Sequence, residues 1–335
     1  MKSKVFENSD LNLLQLGFGA MGLGGLFGRF DDDVLIASVL HALESGLNFI
    51  DTARAYGPSE QLLGLALRQW SGPAPFLATK VMPATRYEDY SEPQDAWGWH
   101  QPIPAAEVYP PGSIRESLEI SLQMLQVEAV DLLQLHNYWA TWDQDEYWLE
   151  ELESLKREGK VRHIGVSVPD QRCDQVISLV RSGRIDAVQT VFNIFESIPA
   201  DCLIPICQQN NVAVIAREIL DEGGLTGFLT RDVTLGDDHA FRTYFDVLGR
   251  DVYLRKVDTL RRYIPEYANS LPELAIKFVT YPEGVTVAIS SMHVREHLDQ
   301  NLAALRSPRL PESLFRDMLY RHRWAKNFHL ERKYR

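Results

Sequence analysis

Short apolar runs, each bounded by turn residues, recur along the chain and alternate with amphipathic stretches. This alternation is typical of parallel strands that are buried on both faces and connected by covering helices. The pattern predicts eight strands, at residues 13–18, 47–52, 76–80, 130–136, 162–167, 187–191, 212–216 and 286–290. It predicts helices near residues 34–45, 59–70, 113–126, 145–158, 171–182, 200–210, 253–280 and 294–305.

Eight strand–helix units in succession predict an α/β protein with a single-domain (β/α)8 TIM-barrel fold. We expect residues 1–306 to form the barrel and residues 307–335 to form a C-terminal helix and a solvated tail. The alternative is a tail that folds over the barrel mouth and brings Trp324 or Phe328 to the pocket. Long loops at about 81–112 and 217–252 follow the third and seventh strands, and loops of this length often cover a functional site. Reacting groups in such barrels lie at the C-terminal ends of the strands, so polar residues there are the candidates for chemistry.

Composition and charge exclude several classes of protein. The 335 residues are 45% hydrophobic and 24% charged, which is ordinary for a globular protein. The formal net charge of -12 has the opposite sign to the basic footprint of a nucleic-acid binder. No apolar stretch reaches the roughly 18 residues that a membrane span needs. The three cysteines, Cys173, Cys202 and Cys207, match no zinc or redox spacing, so we expect no metal site and a reducing, cytoplasmic location.

The segment Gly17-Phe-Gly-Ala-Met-Gly22 matches the G-x-G-x-x-G pattern of Rossmann dinucleotide sites. That motif should open a helix, but here it continues into residues 23–28, which are too rich in glycine to sustain one. The acidic residue that should end a second strand about 20 positions later is also missing. We therefore reject the Rossmann interpretation and expect a close-packed glycine loop at the barrel mouth.

Four polar residues lie at or just beyond the ends of neighbouring predicted strands: Asp51, Tyr56, Lys80 and His136. A phenol is a poor proton donor at neutral pH, and a nearby ammonium improves it by stabilising the phenolate. A buried ammonium in turn needs a countercharge, which Asp51 would supply. An imidazole beside the phenol would orient or polarise a substrate carbonyl. The set is coherent for acid–base catalysis.

Each of these residues also has a purely local interpretation. An aspartate after an apolar run often caps a helix, a lysine at a strand end often reaches solvent, and a single histidine is often a hydrogen-bonded core residue. Taken one at a time, the local interpretations are favoured. Four such residues at adjacent strand ends favour the catalytic interpretation instead.

With these four residues and the stretches around them, the chain resembles the aldo-keto reductases. The matching stretches are Gly46–Gly57, Ala78–Lys80, Asp131–His136, Gly159–Ser167 and Val212–Arg217. The resemblance covers nearly the whole chain and implies a TIM barrel that binds a nicotinamide dinucleotide without a Rossmann domain. It also implies that the four polar residues are the family's catalytic tetrad, in which the tyrosine is the general acid during hydride delivery to a carbonyl.

The resemblance further implies the residues that contact the cofactor. Ser167 and Gln189 match those that hold the nicotinamide carboxamide, and Arg217 stands where many members have a tyrosine that stacks on the nicotinamide. The glycine-rich segment that approaches the pyrophosphate corresponds to Glu218, Leu220, Gly223, Gly224, Leu225 and Thr226. Gln300 and Asn301 fit the adenine contacts.

The last cofactor motif departs from the family pattern. Many members of the family have a proline-containing motif followed by a basic residue where this chain has Ser290, Ser291, Met292 and His293. The family's later arginine aligns with His297. Basic residues at these positions bind the 2′-phosphate of NADP through charge-assisted hydrogen bonds. Arg295, or His293 or His297 when protonated, are the candidates to take their place. We therefore expect NAD-leaning or dual specificity for NAD and NADP.

Aromatic residues near the barrel mouth are candidates for the substrate wall, because each ring buries a large face and some carry a polar tip. We single out Trp97, Trp139 and Trp142. The substrate is expected to be a small-molecule carbonyl, namely an aldehyde, a ketone or a sugar. The leading hypothesis is an NAD(P)-dependent oxidoreductase with Tyr56 as acid and base. Two alternatives are a redox-neutral sugar-modifying enzyme that retains its cofactor and a regulatory subunit that senses the nucleotide.

Overall fold

Eight parallel strands, β1 to β8, close into a barrel in which each strand pairs with the next and β8 pairs with β1. The structure is a computed structural model, and it describes residues 13–84, 103–235, 244–245, 249–324 and 326. Helices follow the strands around the outside, as expected for crossover connections between parallel strands. The predicted (β/α)8 fold is confirmed.

The strands are β1 (Leu16–Gly19), β2 (Phe49–Asp51), β3 (Phe76–Val81), β4 (Val130–Leu135), β5 (Val161–Ser167), β6 (Ala187–Val191), β7 (Ala213–Arg217) and β8 (Val287–Ser291). The α-helices are Asp32–Glu44, Ser59–Gln69, Ala105–Val108, Ser113–Leu125, Tyr147–Arg157, Ile177–Ser182, Leu203–Gln209, Arg250–Leu260, Leu271–Val279, Arg295–Arg306 and Glu312–Arg321. Short 3-10 helices are Ala20–Gly24, Ala140–Gln144, Cys173–Val176, Ile198–Ala200, Gly224–Thr226 and Arg261–Tyr263. Among these described helices, none is both long and apolar enough to cross a membrane.

The lower part of the barrel interior is filled by apolar side chains. Phe49 and Phe76 stack there with ring centres 5.2 Å apart. Gly17 makes room for them, since a Cβ at that position would lie 2.8 Å from the Phe49 ring. The filled interior leaves the C-terminal rim of the strands as the place where polar groups gather.

One predicted helix is wrong. Residues 253–280 were expected to form a single helix, whereas the structure has separate helices at Arg250–Leu260 and Leu271–Val279. The second helix begins with its own cap, because the Ser270 side chain accepts a hydrogen bond from the Glu273 amide at 3.2 Å. Pro265, between the two helices, lacks the amide hydrogen that a continuous helix needs.

The glycine-rich segment after β1 forms the 3-10 helix Ala20–Gly24 and a turn, so the G-x-G-x-x-G pattern does not open an α-helix. Gly24 packs against the backbone of Tyr56, where a Cβ would lie 2.5 Å from the carbonyl oxygen. The rejection of the Rossmann motif and the prediction of a close-packed loop are both confirmed.

Candidate active site

The centre of the site is a buried ion pair between adjacent strands. Asp51 ends β2 and Lys80 lies near the end of β3, and both side chains are almost completely buried. The Lys80 Nζ lies 2.5 Å from Asp51 Oδ1 and donates a second hydrogen bond to the Thr52 carbonyl oxygen at 2.9 Å. Burial acts to lower the pKa of Lys80, but Asp51 and Tyr56 outweigh it and raise that pKa above its ordinary value. The lysine is therefore a charged ammonium at neutral pH.

The other oxygen of the carboxylate is held from across the barrel. Asp51 Oδ2 accepts hydrogen bonds from Gln189 Nε2 at 2.9 Å and from Gln134 Nε2 at 3.3 Å. Those residues lie in β6 and β4, so side chains from three other strands, β3, β4 and β6, fix the Asp51 carboxylate at the end of β2. Gln134 was not indicated by the sequence, because it falls inside a continuous apolar run.

Tyr56 and His136 lie above this pair. The Lys80 Nζ lies 5.0 Å from the centre of the Tyr56 ring. The Tyr56 ring meets the His136 ring edge to face, with centres 5.6 Å apart and planes at 81°. The sequence-predicted tetrad is therefore assembled in space, with one face of Tyr56 open to a cleft.

His136 is a neutral imidazole. Burial lowers its pKa most strongly, and the positive charges of Lys80 and Arg217 lower it further, to about 3. Its Nδ1 is buried and has no hydrogen-bond partner among the residues that the structure describes. A buried polar atom without a partner is costly, so a bound ligand or water that satisfied it would be favoured.

The cleft beside the tetrad has a volume of about 770 Å³ and lies between the loops that follow β1, β7 and β8. This size is within the usual range for small-molecule and cofactor sites. It is lined by many of the predicted cofactor residues, namely Gln189, Arg217, Glu218, Leu220, Gly223, Thr226, Ser290, Ser291, His293, His297, Gln300 and Asn301. The lining also contains three phenylalanines that the sequence did not indicate, Phe27, Phe30 and Phe228. Their only signal is that Phe27 and Phe228 are next to a glycine and that Phe30 lies two residues after one.

Four predicted cofactor residues are not among those that line the cleft. Ser167 is buried next to Gln189 in the β5–β6 register. Gly224 packs against the Tyr253 hydroxyl, where a Cβ would lie 2.0 Å from the oxygen. Leu225 and Met292 are completely buried. Within the described structure these residues support the lining rather than form it.

The predicted substrate tryptophans have different surroundings. Trp142 is buried and does not line the described cleft. Its Nε1 donates to the Ile103 carbonyl oxygen at 2.8 Å, and its ring packs edge to face on Tyr109. Trp139 is half-buried beneath the guanidinium of Arg172, at 5.7 Å from its ring centre, and does not line the described cleft. Trp97 lies outside the described residues, as do most of the loop 81–112 and Phe328.

Arg217 is held by acidic neighbours at the end of β7. Its guanidinium lies 2.5 Å from Asp170 Oδ1, donates to the Val168 carbonyl oxygen at 3.1 Å and pairs with Glu218. Burial, followed by the negative charge of Asp170, raises the pKa of the nearby Glu222 to about 8. This wall of the cleft therefore offers little net positive charge to a ligand.

The described residues that line the cleft near β8 include no lysine and no arginine. His293 Nδ1 lies 3.1 Å from Ser291 Oγ, and its ring stacks on Phe27 with centres 5.8 Å apart. Burial lowers the pKa of His293 to about 4, with a smaller contribution from His297. At neutral pH the His293 ring is therefore uncharged. The described lining contains no lysine.

The family model described as Aldo/keto reductase family matches residues 15–322. The chain is 28% identical over 317 residues to the NADH-specific methylglyoxal reductase of Escherichia coli, covering 91% of this chain and 94% of that protein. It is 31% identical over 230 residues to the L-galactose dehydrogenase of Arabidopsis thaliana, covering 67% and 66%. The solved glycerol dehydrogenase of Gluconobacter oxydans superposes with a TM-score of 0.72 at 26% identity, covering 94% of each chain.

Proposed function

This chain belongs to the aldo/keto reductase family, whose members are oxidoreductases that act on carbonyls with NAD(P)H, and we propose that it reduces a small carbonyl compound with NADH, using Tyr56 as the proton donor. The observation that carries this proposal is the buried Asp51–Lys80 pair beneath Tyr56, with neutral His136 against the same ring. Asp51 and Tyr56 of this set line a cleft large enough for a cofactor and a small substrate.

The bound dinucleotide supplies the hydride for the carbonyl carbon. Tyr56 donates its hydroxyl proton to the carbonyl oxygen, which leaves a phenolate on the protein. The Lys80 ammonium stabilises that phenolate, and Asp51 keeps the ammonium charged in its buried position. His136, which stays neutral, orients the carbonyl oxygen beside Tyr56 through a ring nitrogen.

The residues of the cleft fit a dinucleotide. Tyr56 lines the catalytic end, and Gly223 and Gly227, both with positive φ, bring the backbone of the β7 loop to the cleft surface. Backbone amides in such turns are suited to bind phosphate oxygens. Asn301 and Gln300 at the other end would contact the adenine.

The proposed preference for NADH over NADPH is supported by the charges along the β7 and β8 sides of the cleft. A 2′-phosphate needs cationic donors, whereas His293 is neutral at pH 7 and Arg217 is already paired with Asp170 and Glu218. The similarity to a reductase described as NADH-specific supports this preference. The proposal that the substrate is a small carbonyl compound rests on the same similarity. The cytoplasmic location and the absence of a nucleic-acid partner stay predictions from the sequence.

The test is the variant Tyr56→Phe, with Tyr320→Phe as a matched control because the Tyr320 side chain is 62% exposed. Tyr56→Phe is expected to reduce kcat by about 10²–10⁴ without changing the Kd for NADH, because only the proton donor is removed. Stoichiometric NADH oxidation with a panel of aldehydes and ketones separates a reductase from a redox-neutral enzyme or a nucleotide sensor. Unchanged turnover in Tyr56→Phe would refute the assignment of the proton donor.

A further inference from the structure

Asp221 lies in the loop after β7 and is completely buried on the side away from the cleft. Its Oδ2 accepts a hydrogen bond from the Tyr253 hydroxyl at 2.6 Å. Its Oδ1 accepts hydrogen bonds from the Tyr244 hydroxyl at 3.0 Å and from Asn193 Nδ2 at 3.3 Å. The same oxygen forms an ion pair with Lys326, which is 4% exposed and more than 100 residues further along the chain.

The loop around Asp221 has an unfavourable backbone conformation that its contacts must maintain. Glu218, Asp221 and Glu222 all have positive φ, at 52°, 50° and 54°, although none of them is glycine. Such residues persist only where surrounding contacts impose the conformation. Residues on both sides of Asp221, including Leu220 and Gly223, line the cleft. The contacts of Asp221 therefore set the shape of this cleft wall.

Lys326 is held in place by the residues before it. The Trp324 amide donates to the Phe195 carbonyl oxygen at 2.9 Å, and the Trp324 ring packs against Tyr253 with centres 6.0 Å apart. The Arg323 guanidinium lies 2.7 Å from Asp201 Oδ2. Lys326 Nζ also donates to the Tyr244 hydroxyl at 2.6 Å. Lys326, with residues 322–324 before it, thus docks against the β7 loop at Asp221.

We propose that Lys326 is a positioning residue for dinucleotide binding, which it supports by neutralising buried Asp221 and thereby holding the β7 loop in its cofactor-binding shape. Without the ammonium, a carboxylate at the centre of the loop would be buried without a countercharge. Such a group forces water to enter or the loop to move. The proposal rests on the proposed function, because it assumes that this cleft binds the dinucleotide.

The first test compares Lys326→Met with Lys156→Met, in which an exposed ammonium paired with Asp186 is removed at a site remote from the cleft. Lys326→Met is expected to raise the Kd for NADH by at least about tenfold, as for other buried charge pairs that lose one partner, and to change kcat at saturating NADH far less. Lys156→Met should bind NADH as the wild type does. The double variant Asp221→Asn, Lys326→Met removes both charges and should recover part of the lost affinity.

A Kd for Lys326→Met equal to that of wild type, or a double variant that binds no better than the single one, would overturn the proposal. If the wild-type protein binds neither NADH nor NADPH, the proposed function fails, and this inference fails with it. Binding by the wild type together with unaltered binding by Lys326→Met refutes the inference alone.

A second measurement uses only the wild-type protein and does not depend on the variant folding. Coupling between two sites is reciprocal, so NADH should stabilise the docking of segment 322–326 as well as the β7 loop. Hydrogen exchange with and without NADH should therefore slow in residues 218–227 and in residues 322–326 together. Slowing in residues 218–227 alone would contradict the proposal.

Discussion

Replacing His297 by arginine should give the enzyme a usable NADPH site. His297 lies exposed in the first turn of the helix Arg295–Arg306 and lines the cleft near Ser291 and Gln300. An arginine there places a guanidinium at the end of the cleft where the described lining has no fixed positive charge. The 2′-hydroxyl of NADH is neutral, so its binding should hardly change.

The expected magnitude follows from the exposure of the site. A charge-assisted hydrogen bond to phosphate contributes about 1.5–3 kcal/mol when it is sheltered. Because position 297 is open to solvent, screening and side-chain ordering reduce this to about 1 kcal/mol. At about 1.4 kcal/mol per factor of ten, kcat/KM for NADPH should rise about fivefold.

Initial rates with NADH and NADPH for wild type, His297→Arg and His297→Gln measure this effect, with His297→Gln as the neutral control. Raising the salt concentration toward 1 M, where the Debye length falls to about 3 Å, should remove most of the gain. An equal gain with NADH, or a gain that persists at high salt, would show that the arginine acts through something other than the 2′-phosphate.

Two further predictions concern the groups beneath the cleft. Lys80→Met leaves Asp51 buried without its countercharge, which should lower the free energy of unfolding by about 3–5 kcal/mol. With an unfolding entropy of about 0.7 kcal/mol/K for a chain of this length, the melting temperature should fall by about 4–7 °C. Adding Asp51→Asn to the same chain should restore part of the loss. His136 has a folded-state pKa near 3 against an ordinary value of 6.5, so between these values the unfolded chain binds a proton that the folded protein does not. Stability should therefore fall as pH drops below about 6.5, and the melting difference between pH 7.5 and pH 5 should shrink in His136→Gln.

Much of the fold could be predicted because the strands are continuous apolar runs with turn residues at both ends. The strand predicted at 187–191 has those bounds in the structure, and most others shift by one to three residues. Helix ends are harder to predict, since amphipathic periodicity can continue through a turn. In the segment 253–280 the apolar spacing continues past the break around Pro265, so the sequence predicts one helix where the structure has two.

The tetrad was predictable because each member follows a strand whose place in a closed parallel barrel is known from its order. Contacts between distant loops leave no such pattern. Nothing in the sequence links Lys326 to Asp221, and the spacing of Cys173 and Cys202 gave no hint that their sulfur atoms lie 3.6 Å apart. Trp142 was assigned to the pocket because it is close to His136 in the sequence, yet its side chain points into the core.

The Asp51 carboxylate extends from the second strand of the barrel and is held by side chains from the third, fourth and sixth strands. The catalytic rate therefore reports whether the barrel is fully closed. If any two of these strands separated, proton donation would be lost first, even while most of the helices and much of the nucleotide groove stayed intact.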